Sequence, residues 1–459
     1  MNRAVLTICE AVRAAGGRAM LVGGWVRDHL LGIESKDFDI EVYHVEPARL
    51  RALLEEIAPV NTVGGQFAVY KLVFSDPGDG PLSEIDVSLP RRESKSGRGH
   101  RGFTIEGDPE MSFEEAARRR DFTVNAILYD PLTREVIDPF DGAGDLKARL
   151  LRAVAADTFV EDSLRVLRAV QLAARFGMTV EAGTAELCRS IDLADLPHER
   201  IWGEVEKLLT MAARPSIGLQ TALELGVLDK LFPEIRALVG RPQESDSHAE
   251  GDAFAHTRRA MDEAVNLVAG LPKEKRITVM LAVLCHDLGG PPAAENVAGR
   301  TRPPGHDEAG LAQARAVISR LGLYTLGGYH VRSQVLGLVR ERLRPEQFYD
   351  DRDHATDGAF RRLASKVDLD LLYRVTKAHA LARGAAASSA RQDWFIERAR
   401  GLGVEHRAPE PILKGRHLIE AGFEPGPRMG EVLRHVYDLQ LDDQVTDLDQ
   451  ALAAARRLA

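Results

Sequence analysis

The stretch Leu21-Val-Gly-Gly-Trp-Val-Arg-Asp28, followed nine residues later by Asp37-Phe-Asp39, is the tightest constraint in the chain. The apolar run 19–22 reads as a buried strand. It passes into Gly23-Gly24 and then into a helix-compatible segment ending near Gly32. Such a turn presents backbone N–H groups at a helix N-terminus, where a phosphate can sit, and glycine leaves room for close approach. The next apolar run, 38–43, reads as a second strand, with Asp37 and Asp39 two residues apart. Strand alternation sends both carboxylates to one face. Two carboxylates beside a phosphate cradle suit a Mg²⁺–triphosphate site. Taken alone, the same residues also fit a glycine turn with two solvated aspartates at a strand end.

The rest of the chain separates these readings. Ala117-Arg-Arg-Arg-Asp-Phe-Thr-Val-Asn-Ala126, Ile137-Asp-Pro-Phe-Asp-Gly142, Val160-Glu-Asp-Ser-Leu-Arg-Val-Leu-Arg168 and His198-Glu-Arg-Ile-Trp202 follow in order. With the first motif, this set resembles the class II tRNA nucleotidyltransferases, the CCA-adding enzymes of the polymerase-β-like superfamily, and the related bacterial poly(A) polymerases. The resemblance covers residues 18–240 and continues more weakly into an HD-like region. Pro411-Ile-Leu-Lys-Gly-Arg416 and Pro425-Gly-Pro427 are similar to the tail of HD-bearing members.

The resemblance implies an α+β fold. A nucleotidyltransferase head with a mixed sheet would span 1–150, a helical neck and body for nucleotide selection and RNA binding 151–240, an HD-like domain 245–400, and a helical tail 405–459. It implies Mg²⁺-dependent, template-independent transfer of C and A from CTP and ATP to tRNA 3′ ends, with release of pyrophosphate. A poly(A) polymerase built on the same head is the alternative.

A length of 459 residues suggests about three domains. No apolar run is long enough to span a bilayer, so no membrane partner is expected. The first ten residues lack the apolar core of a signal peptide. Cys9, Cys188 and Cys285 are too few and too far apart for a disulfide framework or a zinc site; they favour a reducing, cytoplasmic setting. The net charge of −9 argues against a broadly basic nucleic-acid surface. Residues 91–101 nevertheless hold five Lys/Arg against one Glu, with Arg118, Arg119 and Arg120 close behind. Arg98 and Arg101 are therefore candidate RNA-phosphate contacts, with a steep salt dependence. A solvated loop is the plainer reading of that run.

Strands are expected at 19–22, 38–43, 67–74 and 85–89. Ser112 with Glu115 forms a capping box that starts the helix leading to the arginines. Helical periodicity dominates from about 155, with one amphipathic helix expected over 159–176. Breaks are expected at 240–247, 296–305 and 401–411.

Nucleotide transfer needs an activated 3′-hydroxyl and a stabilised pyrophosphate, which two metal ions about 3.5–4 Å apart supply together. Asp37 and Asp39 are the expected ligands. Asp86 sits where relatives carry a third acid, and reads almost as well as a surface strand residue. The resemblance gives Gly23, Gly24, Arg27, Arg120 and Arg168 to the nucleotide; arginine's planar fork suits phosphate oxygens. Arg27 also reads as a surface residue paired with Asp28. Asp121 and Asn125 are expected to organise a turn. Asp162 and Arg165 match the family's base-selecting pair, in which a carboxylate and a guanidinium meet the Watson–Crick edge of the base. Spacing i, i+3 would put them on one helix face, where a plain ion pair is the other reading. Gln171 stands where relatives carry arginine. Glu199, Arg200 and Glu204 begin a helix that braces the neck.

The HD pattern, His…His-Asp…Asp, is matched by His256 and His286-Asp287, with His306 in support. Its closing aspartate is His379, Leu288-Gly-Gly-Pro291 lacks the usual lysine, and Arg340-Glu-Arg342 replaces a further histidine. A second divalent metal is possible there. A structural or RNA-contacting remnant is expected ahead of an active phosphohydrolase.

Overall fold

The computed structural model describes residues 1–63, 69–74, 83–95, 103–242, 251–289, 306–384 and 388–458. It forms two compact units: Met1–Pro197 with Thr221–Leu231, and His198–Gln220 with Phe232–Ala459. The class is α+β, as expected.

The first unit is built on a seven-stranded mixed sheet. Its strands are β1 (Arg18–Val22), β2 (Phe38–Tyr43), β3 (Val60–Val63), β4 (Val69–Phe74), β5 (Ser83–Ser88) and, after an antiparallel pair β6 (Arg91–Lys95) and β7 (Phe103–Gly107), β8 (Leu128–Tyr129) and β9 (Val136–Ile137). The spatial order is β3-β4-β5-β2-β1-β8-β9. Only the β2–β5 neighbours run parallel.

Both faces of the central strands are covered, which is why β1 is apolar without alternation from Ala19 to Val22. Leu21, Phe38, Ile40 and Val42 join one core with Val5, Ile8 and Val12 of α1 (Arg3–Ala14) and Leu50 and Leu54 of α3 (Pro47–Ile57). Met20, Val22 and Tyr43 join a second core with Ala116 and Ala117 of α4 (Phe113–Arg118). On β2 this alternation turns Asp39 and Glu41 to the same side as Tyr43, towards α4. The capping box at Ser112 and Glu115 is formed as expected.

The single helix expected over 159–176 is a correction: it is two. α6 (Ala156–Phe159) follows α5 (Gly142–Ala148), and α7 starts only at Leu164 and ends at Phe176. The Asp162 side chain accepts from the Leu164 N–H at 3.1 Å. That local bond favours a turn over helix continuation. α7 stops at Gly177, whose φ of +63° needs glycine.

The second unit is helical. Helix Lys273–Cys285 is buried along its whole second half and packs against Ala253–Leu267, Val331–Glu341 and Leu369–Leu381. A separate small core, including Leu418, Val436, Ala451 and Ala455, holds the last three helices together. The expected break at 401–411 falls between helices Ala390–Gly401 and Gly415–Glu420. The break at 296–305 and most of 240–247 lie outside the described residues. No described helix is long and apolar enough to cross a membrane.

Candidate active site

β1 feeds through Gly23 into α2 (Gly24–Leu30). Gly23 has φ +70°, and a Cβ there would stand 3.2 Å from Arg120 Nη1 and 3.6 Å from Asp39 Oδ2. The turn is therefore closed tightly over a cation and a carboxylate. Asp37 lies just before β2 and Asp39 on it. The register places Asp39 beside Asp86, and Asp86 beside Lys71 of β4. Lys71 Nζ lies 3.2 Å from Asp86 Oδ1 and 3.3 Å from Oδ2. Partial burial raises the pKa of Asp39, and the charges of Asp86 and Asp37 add to this against the pull of Arg120. Asp39 and Asp86 are neighbours across β2 and β5, and carboxylate oxygens of this kind are the hard donors that suit Mg²⁺.

The helix ending in the arginines supplies the opposite charge. Arg118 pairs with exposed Asp157 at 2.8 Å. Arg119 Nη2 donates to Glu41 Oε1 at 2.9 Å, and Arg120 Nη2 lies 3.7 Å from Glu41 Oε2. Neither Glu41 nor Lys71 stood out in the sequence. Glu41 continues the period-two run Asp37, Asp39, Glu41, and that was the available signal.

Arg27 is not at the surface. It is 4% exposed, donates from Nε and Nη2 to Asp28 at 2.9 and 2.6 Å and from Nη1 to Asn125 at 2.8 Å, and stacks 4.3 Å from the Phe176 ring. Asn125 donates in turn to Asp121 Oδ1 at 3.0 Å, and Arg168 reaches Asp121 Oδ2 at 2.5 Å. One polar chain thus joins α2, the turn after α4 and α7. Burial opposes the charged Asp121, but Arg168 and the surrounding donors outweigh it and hold the carboxyl below its ordinary value.

Arg165 donates to the Thr158 carbonyl at 2.7 Å and the Arg119 carbonyl at 2.6 Å. Asp162 precedes α7, so the shared helix face expected for Asp162 and Arg165 is corrected to a turn residue followed by a first-turn residue. Gln171 is buried, and its Oε1 accepts no hydrogen bond. Arg98 and Arg101 lie outside the described residues.

In the second unit, the Nε2 atoms of His256 and His286 each lie 2.9 Å from His379 Nδ1, and His286 Nε2 lies 3.3 Å from Asp287 Oδ2. Four potential ligand atoms converge. Burial pushes His256 down to about 4, with His286 adding to the shift. Burial opposes the Asp287 anion, yet the adjoining His286 holds it well below the usual carboxylate range. A neutral imidazole, as burial favours at His256, and an ionised carboxylate are forms that ligate metal.

The mixed sheet, the glycine turn and the helical remainder place the chain among the head-and-body nucleotidyltransferases. Residues 19–152 match the poly A polymerase head domain, and residues 177–238 match the model described as a probable RNA and SrmB-binding site of polymerase A. The multifunctional CCA protein of Xanthomonas oryzae pv. oryzae is 35% identical over 429 residues, 90% of this chain and 95% of that one. That of Haemophilus influenzae is 37% identical over 308 residues, 66% of this chain and 70% of the other. The chain belongs to the CCA-adding enzyme family. Its fold is similar to the CCA-adding enzyme of Bacillus stearothermophilus solved with CTP, at 21% identity and TM-score 0.62 over all of this chain and 98% of that one. It is similar also to the Thermotoga maritima CCA-adding enzyme complexed with tRNA, at 20% identity and TM-score 0.58 over all of this chain and 96% of that one.

Proposed function

We propose that this protein adds C and A nucleotides from CTP and ATP to tRNA 3′ ends without a nucleic-acid template. The observation that carries the reading is the Asp39–Asp86–Lys71 row on three adjacent strands, with Asp39 and Arg120 both against the Gly23 turn. Asp37, Asp39 and Asp86 would hold Mg²⁺, which when bound activates the 3′-hydroxyl and stabilises the departing pyrophosphate. The Gly23 turn admits the triphosphate close to backbone, and Arg120 meets its charge. Arg27, with Nε and both Nη atoms bonded inside the protein, braces the turn from behind through Asn125. Arg168 braces α7 through Asp121. Arg165, oriented by two backbone carbonyls, and Asp162 select the base. The head occupies 1–150 and the neck and body 151–240, with the HD-like region at 245–400 and the tail at 405–459.

His256, His286, Asp287 and His379 form a second candidate metal centre. Three imidazoles and one carboxylate suit a transition metal better than Mg²⁺.

The test is incubation with tRNAs ending before CCA, after C and after CC, with each nucleotide supplied separately. Addition of C to the first two and a single A to the third is expected. Unlimited A addition regardless of the 3′ end would make the protein a poly(A) polymerase.

A further inference from the structure

Glu41 is the one acid of the β2 alternation that solvent does not reach. It is 1% exposed. The Tyr43 hydroxyl donates to its Oε2 at 2.8 Å and Arg119 to its Oε1 at 2.9 Å, while Arg120 lies 3.7 Å from Oε2. An isolated carboxylate at such a place would take up a proton. Here two guanidinium groups and a hydroxyl meet it instead. Glu41 is therefore a fixed negative charge beneath the site, one pleat repeat along from Asp39.

What it fixes is Arg120. That guanidinium lies 3.7 Å from Glu41 Oε2 on one side, and on the other its Nη1 borders the Gly23 turn together with Asp39 Oδ2, 3.2 and 3.6 Å from where a Cβ would stand. An arginine drawn wholly to Asp39 would neutralise a carboxylate needed for the metal. An arginine held by neither would lose its orientation. We propose that Glu41 is a positioning residue for nucleotide binding, holding Arg120 off Asp39 and aimed at the triphosphate beside Gly23. The inference rests on the reading of Gly23 and Arg120 as the triphosphate cradle. It concerns phosphate recognition, so it acts on CTP and ATP alike.

The test is steady-state kinetics of the full-length protein with Glu41→Gln, Arg120→Ala and the double variant. Glu41→Gln removes the charge and keeps the shape. It should raise KM for both CTP and ATP about tenfold, close to 1.4 kcal/mol, with kcat changed much less and KM for tRNA unmoved. Arg120→Ala should raise the same KM values, and the double variant should be no worse than Arg120→Ala alone, because Glu41 acts through Arg120. Full additivity overturns the inference. So does a wild-type nucleotide KM in Glu41→Gln while Arg120→Ala raises it, which leaves the cradle reading standing. A wild-type KM in Arg120→Ala overturns the cradle reading itself and the inference with it. Should Glu41→Gln not fold, Glu41→Asp keeps the charge and shortens the reach, and the same split in KM decides.

Discussion

Replacing Asp39 by Asn should abolish catalysis without weakening the fold. A metal ligand contributes several kcal/mol of transition-state stabilisation; taking about 4 kcal/mol gives a loss of about 10³-fold in nucleotide incorporation. The stability effect has the opposite sign to most substitutions. Asp39 carries a raised pKa because it is partly buried and faces Asp86 and Asp37. A folded-state pKa above the unfolded value means the folded chain binds the proton more tightly, so ionisation costs stability as pH rises through that window. The residue remains open to solvent, so screening keeps the gain from Asn small. The advantage should be present at neutral pH and vanish below the ordinary carboxylate value of 3.8, where both states are protonated. Urea midpoints for wild type and variant across this range measure it, alongside CTP incorporation into a tRNA lacking its 3′ end. A folded variant with near-normal incorporation refutes the ligand assignment. A variant clearly less stable than wild type at neutral pH refutes the crowding argument.

Arg165→Ala should change the ratio of CTP to ATP incorporation, since a site that loses a paired polar contact discriminates poorly; an unchanged ratio with a uniformly lower rate means that Arg165 only braces the turn through Thr158 and Arg119. Neutralising Arg98 and Arg101 should weaken tRNA binding and reduce its log–log salt slope by about 0.7–0.9 per lost phosphate contact, and an untouched slope places the RNA elsewhere. Ni²⁺ or Co²⁺ should raise the melting temperature of wild type but not of His286→Ala, because a ligand that binds only the folded state stabilises it by mass action. Hydrolysis of 2′,3′-cyclic nucleotides by the metal-loaded protein should remain weak, since His379 brings no negative charge where the pattern expects aspartate; robust hydrolysis lost in His286→Ala would overturn this.

Elements whose causes are local were legible in the chain. β1 and β2 follow from apolar runs, and α4 from its capping box, where Ser112 and Glu115 are three residues apart. The error over 159–176 is also local in origin. The apolar spacing suits a helix on both sides of 160–163, and the preference of Asp162 for the Leu164 N–H decides against continuing it. Periodicity alone does not weigh a single side-chain bond against a run of backbone bonds.

The site divides along a different line. The place of Asp39 on β2 could be read from the apolar run, and the Arg27–Asp28 contact from adjacency. The burial of Arg27 depends on Phe176, far along the chain on α7, and no spacing rule reports it. Glu41 is the sharper case. Its position on the Asp39 face follows from counting by two, but an acid on a strand is ordinarily solvated. It becomes a fixed charge only because Arg119, 78 residues away, returns across the sheet to meet it. The long connections that hide such pairs from the sequence also make them informative: two groups so far apart meet at 2.9 Å only if the fold between them is specified, and a buried ion pair is weak evidence for stability alone. A fixed charge beside the carboxylates proposed to hold the metal is better explained by the geometry it imposes on Arg120.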